Sequence, residues 1–461
     1  MESSAMICEA MPQVGRLNAF QRVMLQWSGL HPYNAAHTYH VAGPVRLPAL
    51  QQAIRDTFEL NGIGVAEINL DAGQYRHWCD DVFPEVLVSA DLRSPEVQLA
   101  EQLTVELNHR FERPICRPFR FCVVDAGPES HYVTLVYDHW ASDSIGARLI
   151  MRHVMGRYLG LNMLENQDAM DLYPRTYREV FADRLGGSRV AWPLLRSMRG
   201  WLKRSAWRVA YASVHQMAIG CNVYDLPAGT VDRLRQFARE NDASVNDVFL
   251  AAMCRALAPV LPKRAAKSGT SAMSVGTIVD TRADANEDLE NVLGTFLGYY
   301  LVRVAGKGKV SLGDLSQRIA VLTRARKAQR SYLDAAVNLR VSSTIWSHMK
   351  PGSRAEFARR AMPMTAGLSN VYLKNCWIDQ EGAGKILGYR RAVSCGPSLP
   401  LVITPTTLGD QLNIAVSYRV TGFSESKIDA VMDSFLEQLE TAGHRAKVRP
   451  SAISVKTAIP A

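Results

Sequence analysis

Apolar residues fall on two periods along this chain, and the switches between them mark its elements. In "LPALQQAIRDTFELN", Leu47, Leu50, Ile54 and Phe58 recur at three and four residues, which predicts a helix with one apolar side. "LNAFQRVMLQW" has the same spacing. "SPEVQLAEQLTVELNHRF" adds a cap at Ser94 and an acid, Glu96, in its first turn. "AAHTYHVAG" reads as a strand. "FRFCVVDAGPESHYVTLVYDH" alternates on either side of a Gly-Pro break, which predicts a hairpin. "SIGARLIMRHVMGRYLG" then returns to helical spacing and stops at a glycine. Further along, "QMAIGCNVYDLP" is a strand leading toward a helix, and "ASVNDVFLAAMCRALAPVL" is a buried helix. "SAMSVGTIVDTR" and "TFLGYYLVRVAG" are strands. Helices fill Leu312 to Met349. "TAGLSNVYL", "ILGYRRAVS", "PLVITPTT" and "QLNIAVSYR" are strand-like, and "SESKIDAVMDSFLEQLE" is the last helix.

Strands and helices alternate irregularly in both halves, which predicts two α/β or α+β lobes. The length of 461 residues agrees, because it exceeds what one core usually supports. Between the halves, Leu185 to Tyr224 contains no acidic residue. There "SRVAWPLLRSMRGWLKRSAWRVA" places Trp192, Leu195, Met198 and Leu202 near helical spacing among Arg196, Arg199, Lys203 and Arg204. The plain expectation is a connector helix that packs its stripe on the protein. The sharper one is a docking face for an acidic carrier protein, CoA phosphates or an anionic lipid surface. The expected division is residues 1–185, a basic connector 186–215, and residues 216–461.

Charge and cysteine narrow the setting. The net charge of +9 favours anionic partners but is too modest and too spread out to argue for nucleic acid. The eight cysteines include no CxxC pair, which reads as reduced thiols and a cytoplasmic protein. The first residues lack a basic segment before an apolar one, so no signal peptide is expected. No apolar run reaches the ~20 residues that span a bilayer. A soluble monomer is expected, at most peripheral to a membrane.

Candidate chemistry gathers at "VYDHWASDSIG". Alternation puts Val133, Leu135, Tyr137 and His139 on one face of a strand and Asp138 on the other. The next helix begins near Asp143, so His139 sits at a strand end beside a helix N-terminus. The partial positive charge there keeps an imidazole neutral and basic, which suits a general base. A zinc site would need further ligands nearby. A serine hydrolase would show a nucleophile such as GxSxG, which is absent. The remaining plain reading makes Asp143 an N-cap and His139 a satisfied polar group.

"DHWASDSIG" resembles the HHxxxDG motif of the CoA-dependent acyltransferase superfamily. That group includes peptide-synthetase condensation domains, plant HxxxD acyltransferases and bacterial wax-ester synthases. Five further segments resemble the family in the expected order: "LNAFQRVMLQWSGLHPYNAAHTYHVAG", "ASVNDVFLAAMCRAL", "VDTRADAN", "LGTFLGYYLVR" and "GLSNVYL". The resemblance implies two chloramphenicol-acetyltransferase-like lobes, each a mixed sheet with helices, forming a V around a channel. It implies His139 as the base that serves attack on a thioester, with Asp143 paired structurally to Arg282. Trp140, Ser369, Asn370 and Gly298 become candidates for the channel or for stabilising an oxyanion. Asn246 and Asp247 match a family motif, but Ser244 to Asp247 has the spacing of a capping box. Departures are Asp138 for the first histidine, which puts an acid where it needs a partner, Ser144 for the following glycine, and Gly298 for an asparagine.

The implied activity is transfer of an acyl group from acyl-CoA or a carrier-protein phosphopantetheine thioester to a hydroxyl or amine. No bound cofactor or metal is expected, and the partners would come in trans. The alternatives are a discrete condensation enzyme joining carrier-bound substrates, and a degenerate relative that recruits partners.

Overall fold

The computed structural model describes residues 13–80, 82–89, 93–160, 169–172, 177–181, 209–261, 272–305, 310–361, 364–373, 386–442 and 452–453. Residues 186–208 of the basic connector, with Arg196, Arg199, Lys203 and Arg204, lie outside the described residues. Two lobes of mixed sheet and helix make up the fold.

Ser130–Asp138 runs through the middle of the first sheet. It pairs antiparallel with Phe119–Asp125 on one side and with Asn34–Ala42 on the other. Val86–Ser89 adds a parallel edge beyond Phe119–Asp125. Both faces are covered, and the alternation of side chains decides what each face meets. Val133, Leu135 and Tyr137 enter a cluster with Ile54 and Phe58 of the helix Leu47–Asn61 and with Ile150 and Val154 of the helix Ser144–Leu159. Tyr132 and Val136 enter another with Leu99, Leu103 and Leu107 of the helix Pro95–Asn108, which Ser94 caps as expected. The period-2 run is thus apolar on both sides because helices lie on both sides.

The second sheet carries Leu297–Ala305, Ala272–Asp280, Ala366–Leu368, Leu401–Leu408, Gln411–Arg419 and Ile219–Asp225 in that order. Leu401–Leu408 pairs parallel with Ala366–Leu368 and, further along, with Val371–Leu373. The helix Val245–Leu257 is buried nearly all round against this sheet. Its start is the expected capping box: Ser244 N–H donates to Asp247 (2.9 Å) and Asp247 N–H donates back to Ser244 Oγ (3.3 Å). Asp247 also accepts from Thr323 at 2.8 Å, so Asp247 does structural work here.

One strand departs from the order of the chain. Ile386–Val393 hydrogen-bonds antiparallel to Asn34–Ala42 and becomes the edge of the first sheet. A second lobe made of all of 216–461 therefore loses this segment to the first. The physical reason is edge protection: without it, Asn34–Ala42 would present unpaired backbone groups to water. The chain then turns back to the second sheet at Leu401.

The lobes meet along a real core. Leu99, Leu103 and Phe111 pack with Ile219, Cys221, Val402 and Ala415 from the second lobe. Polar contacts set the register. Asn108 Nδ2 donates to the Ile219 carbonyl (2.8 Å), and Ile219 N–H donates to Asn108 Oδ1 (2.9 Å). Helix Ala19–Ser28 packs against Asp334–Ser347, where Gln26 donates to the Ser343 carbonyl. Among the described residues no helix is long and apolar enough to cross a membrane.

Candidate active site

His139 follows the last residue of Ser130–Asp138, and three local contacts fix its ring. Its backbone N–H donates to the Tyr33 carbonyl at 3.0 Å. The Tyr33 ring stacks on the imidazole, with centroids 5.4 Å apart and planes 14° apart. Tyr137 meets it edge-on at 5.7 Å. Nδ1 lies 3.0 Å from the Ser142 carbonyl. A carbonyl only accepts, so Nδ1 carries the proton and Nε2 keeps a lone pair. Burial lowers the imidazole pKa from the ordinary 6.5, against the pull of the Ser142 carbonyl. The ring is therefore neutral near pH 7, with the Nε2 lone pair free to accept a proton. It is partly exposed, and the exposure is toward a cleft.

That cleft has a volume of about 360 Å³ and draws its walls from both lobes. Phe20, Val23, Met24 and Trp27 come from the helix Ala19–Ser28, Tyr137 from the first sheet with Tyr33 and His139 just beyond its strand ends, and Leu297, Tyr299, Leu368 and Val402 from the second sheet. The wall is mostly apolar by area, with polar and charged side chains set among the apolar ones, which suits a small-molecule site.

Asp143 ties the histidine corner across the lobes. It caps the helix Ser144–Leu159, accepting from Ile145 N (3.0 Å) and Gly146 N (2.9 Å). The same carboxylate accepts from Arg282 Nη1 (2.6 Å) and Nη2 (3.2 Å) and from Phe296 N (2.9 Å). Its own N–H donates to the Gly294 carbonyl at 2.8 Å. Burial alone would raise this carboxyl; the Arg282 charge and the hydrogen bonds outweigh it and hold the group below its usual range. Arg282 is nearly buried, donates to the Leu289 and Val292 carbonyls, and lies over the Phe296 ring. Gly146 makes the approach possible, because a Cβ there would sit 2.5 Å from Ser142 Oγ and 2.8 Å from Leu293 Cδ1. The plain reading of Asp143 as an N-cap and the ion-pair reading are thus both present in one residue.

No protein-family model matches the sequence, and no curated protein does. Solved structures do match, over nearly the whole chain. The first condensation domain of the calcium-dependent antibiotic synthetase, in complex with a substrate analogue, aligns at a TM-score of 0.68 and 13% identity over 94% of this chain and 96% of that one. The starter condensation domain of rhizomide synthetase, in complex with C8-CoA and Leu-SNAC, aligns at 0.65 and 15% identity over 94% and 95%. The cyclization-docking bidomain of EpoB from Sorangium cellulosum aligns at 0.66 and 12% identity over 94% and 86%. The chain has the fold of the condensation domains.

Within that condensation-domain fold, the other expected residues divide. Ser369 and Asn370 line the cleft. Ser369 N–H is spent on the Ile403 carbonyl. Trp140 does not line it: its side chain is fully buried in the first lobe's core near Tyr75. The strand ends at Asp138, so past that point alternation no longer predicts direction. Gly298 does not line it either. Its open side faces the Tyr332 carbonyl, which a Cβ would approach to 2.8 Å, while its neighbours Leu297 and Tyr299 turn to the cleft. A side chain as large as asparagine has no room there. Asp138 points away from the cleft and pairs with Arg113, the partner its position demanded. Ser144 opens the helix with ordinary helical backbone, which a serine adopts without strain.

Four contributors escaped the sequence reading. Tyr33 and the Ser142 carbonyl orient the ring, and neither has a sequence signature. Arg148 and Arg391 reach the cleft wall. Arg391 had one visible signal, a second arginine inside an otherwise apolar strand, "ILGYRRAV". Among the described residues no three His, Cys, Asp or Glu side chains gather as a metal site.

Proposed function

We propose that the protein transfers an acyl group from a CoA or carrier-protein thioester to a hydroxyl or amine, with His139 as the general base. The observation that carries the reading is the Nδ1 contact to the Ser142 carbonyl, which leaves Nε2 unprotonated at a cleft between lobes. The acceptor O–H or N–H gives its proton to Nε2 as the heteroatom bonds to the thioester carbonyl carbon. The C=O pair moves onto oxygen. When that pair returns, the C–S bond breaks, and the imidazolium returns the proton to the leaving thiolate. Such proton transfer contributes roughly 10²–10⁴-fold; alignment of the two substrates supplies much of the rest. Asp143 and Arg282 act at one remove, by holding the loop that presents the histidine. The fold's neighbours include condensation domains, and one was solved in complex with C8-CoA and Leu-SNAC. A thioester donor supplied by a separate partner is consistent with them.

The likeness to condensation domains favours one second reading, in which the acceptor is itself tethered to a carrier. Thiol release from acyl-CoA and acyl-pantetheine, with panels of free alcohols and amines, tests the first reading. Wild type is expected to release thiol with an acceptor present, and His139→Ala about 10²–10⁴-fold more slowly. Equal rates in the two proteins would sink the proposal. Activity only with carrier-loaded acceptors, seen by intact-protein mass spectrometry, would select the second reading.

A further inference from the structure

Two arginines in the cleft wall have no carboxylate paired with them among the described residues. Arg391 is only 2% exposed, yet its partners are all neutral. Nε donates to Thr406 Oγ1 (3.2 Å), Nη2 to the carbonyls of Ser369 (2.7 Å) and Pro405 (3.4 Å), and Nη1 to Ser144 Oγ (3.3 Å). Arg148, half-buried on the helix Ser144–Leu159, donates to the same Ser144 Oγ at 3.0 Å. Both side chains line the cleft, as does Ser144.

A guanidinium carries five N–H donors. Arg391 uses four of them on neutral acceptors and Arg148 uses one, so N–H groups remain on both. Ser144 Oγ accepts from both arginines, which fills its two lone pairs and leaves its own O–H to donate elsewhere. Donors with two positive charges therefore converge beside one serine in the first turn of the helix Ser144–Leu159. Burying such charge without a counter-ion is costly. Arg282 shows the alternative within the same cleft, since its charge is met by Asp143. Among the described residues no carboxylate pairs with Arg148 or Arg391.

We propose that Arg148, Ser144 and Arg391 form a subsite for a compact oxyanion, a carboxylate or phosphate borne by the substrate. The inference rests on the reading that the cleft receives substrate, and it adds what kind: an amphiphile with an anionic group against this corner and apolar atoms against Val23, Met24, Leu297 and Val402. Ser144 lies two residues from Ser142, whose carbonyl holds His139, a span of at most about 7 Å.

Calorimetric titration with octanoate, octyl phosphate and the neutral octanamide at low ionic strength tests this without turnover. At least one anion is expected to bind ten-fold or more tighter than octanamide. The tighter of the two identifies the source as carboxylate or phosphate. Arg148→Gln is expected to erase the preference while keeping the wild-type thermal midpoint, and Arg148→Lys to restore part of it. Arg391→Gln is a weaker probe, because that side chain also joins segments of the fold. Equal binding of all three probes, or an undiminished preference in Arg148→Gln, would overturn the subsite. The two readings separate cleanly. Anion preference with no effect of His139→Ala on thiol release removes the transferase and keeps the subsite, and the converse keeps the transferase alone.

Discussion

His139 owes its character to a single carbonyl. With Nδ1–H committed to Ser142, protonation can occur only at Nε2, the atom proposed to accept the substrate's proton. Burial holds the folded-state pKa below 6.5, so the working neutral form persists above that value and is lost as pH falls through it. The pH profile of kcat/KM is accordingly expected to show an acid limb with its inflection below pH 6.5; an inflection above 6.5 would contradict this environment. The sequence made His139 conspicuous because two regular signals meet there, an alternating strand and a helix start. It could not show Ser142, since a backbone carbonyl has no sequence signature. Trp140 shows the complementary limit. Its neighbour turns to the cleft and it turns to the core, a choice made by loop geometry after the period-2 pattern has ended.

Among elements, the junction of the helix Ser144–Leu159 with the segment Gly294–Phe296 stands apart, because one carboxylate closes it. Asp143 caps the helix, receives the guanidinium and accepts the Phe296 amide. Truncation to Asp143→Ala leaves the buried Arg282 with only the exposed Asp280, 3.3 Å away, as a carboxylate partner among the described residues, and such removal of one partner costs up to about 3–5 kcal/mol. Loss of the cap adds about 1 kcal/mol. Arg282→Met in the same background removes the poorly paired charge, so the double variant should be more stable than Asp143→Ala alone. Denaturant unfolding of the four proteins of this cycle measures the coupling; additive effects would show that the pair is not a unit. Elements of this kind were largely legible. Ser94, Ser244 and Asp247 announced helix starts by their own chemistry, and the amphipathic spacing of Leu50, Ile54 and Phe58 fixed which side packs. The short strands Val65–Asn69 and Gln74–Trp78, which pair with each other away from the cleft, lacked a pattern strong enough to stand out.

At the scale of the whole molecule, the sequence yields two mixed lobes but not how the chain is shared between them. Local periodicity identifies Ile386–Val393 as a strand; only long-range pairing assigns it to the first sheet. A fragment of residues 1–215 should consequently fail to fold, with Asn34–Ala42 left as an open edge and the Leu99–Leu103 face uncovered. Circular dichroism and amide-proton dispersion of that fragment check the point; a cooperative, well-dispersed species would refute it. The same strand constrains recombination. A chimera that joins the first half of this protein to the second half of a distant homologue, cut at the central linker, would seat a foreign strand against Asn34–Ala42. Its residue opposite Tyr39 would also replace Tyr389, which now bonds His37. Folded hybrids between such chains would therefore need three breakpoints instead of one, so that the returning ribbon travels with the half it completes.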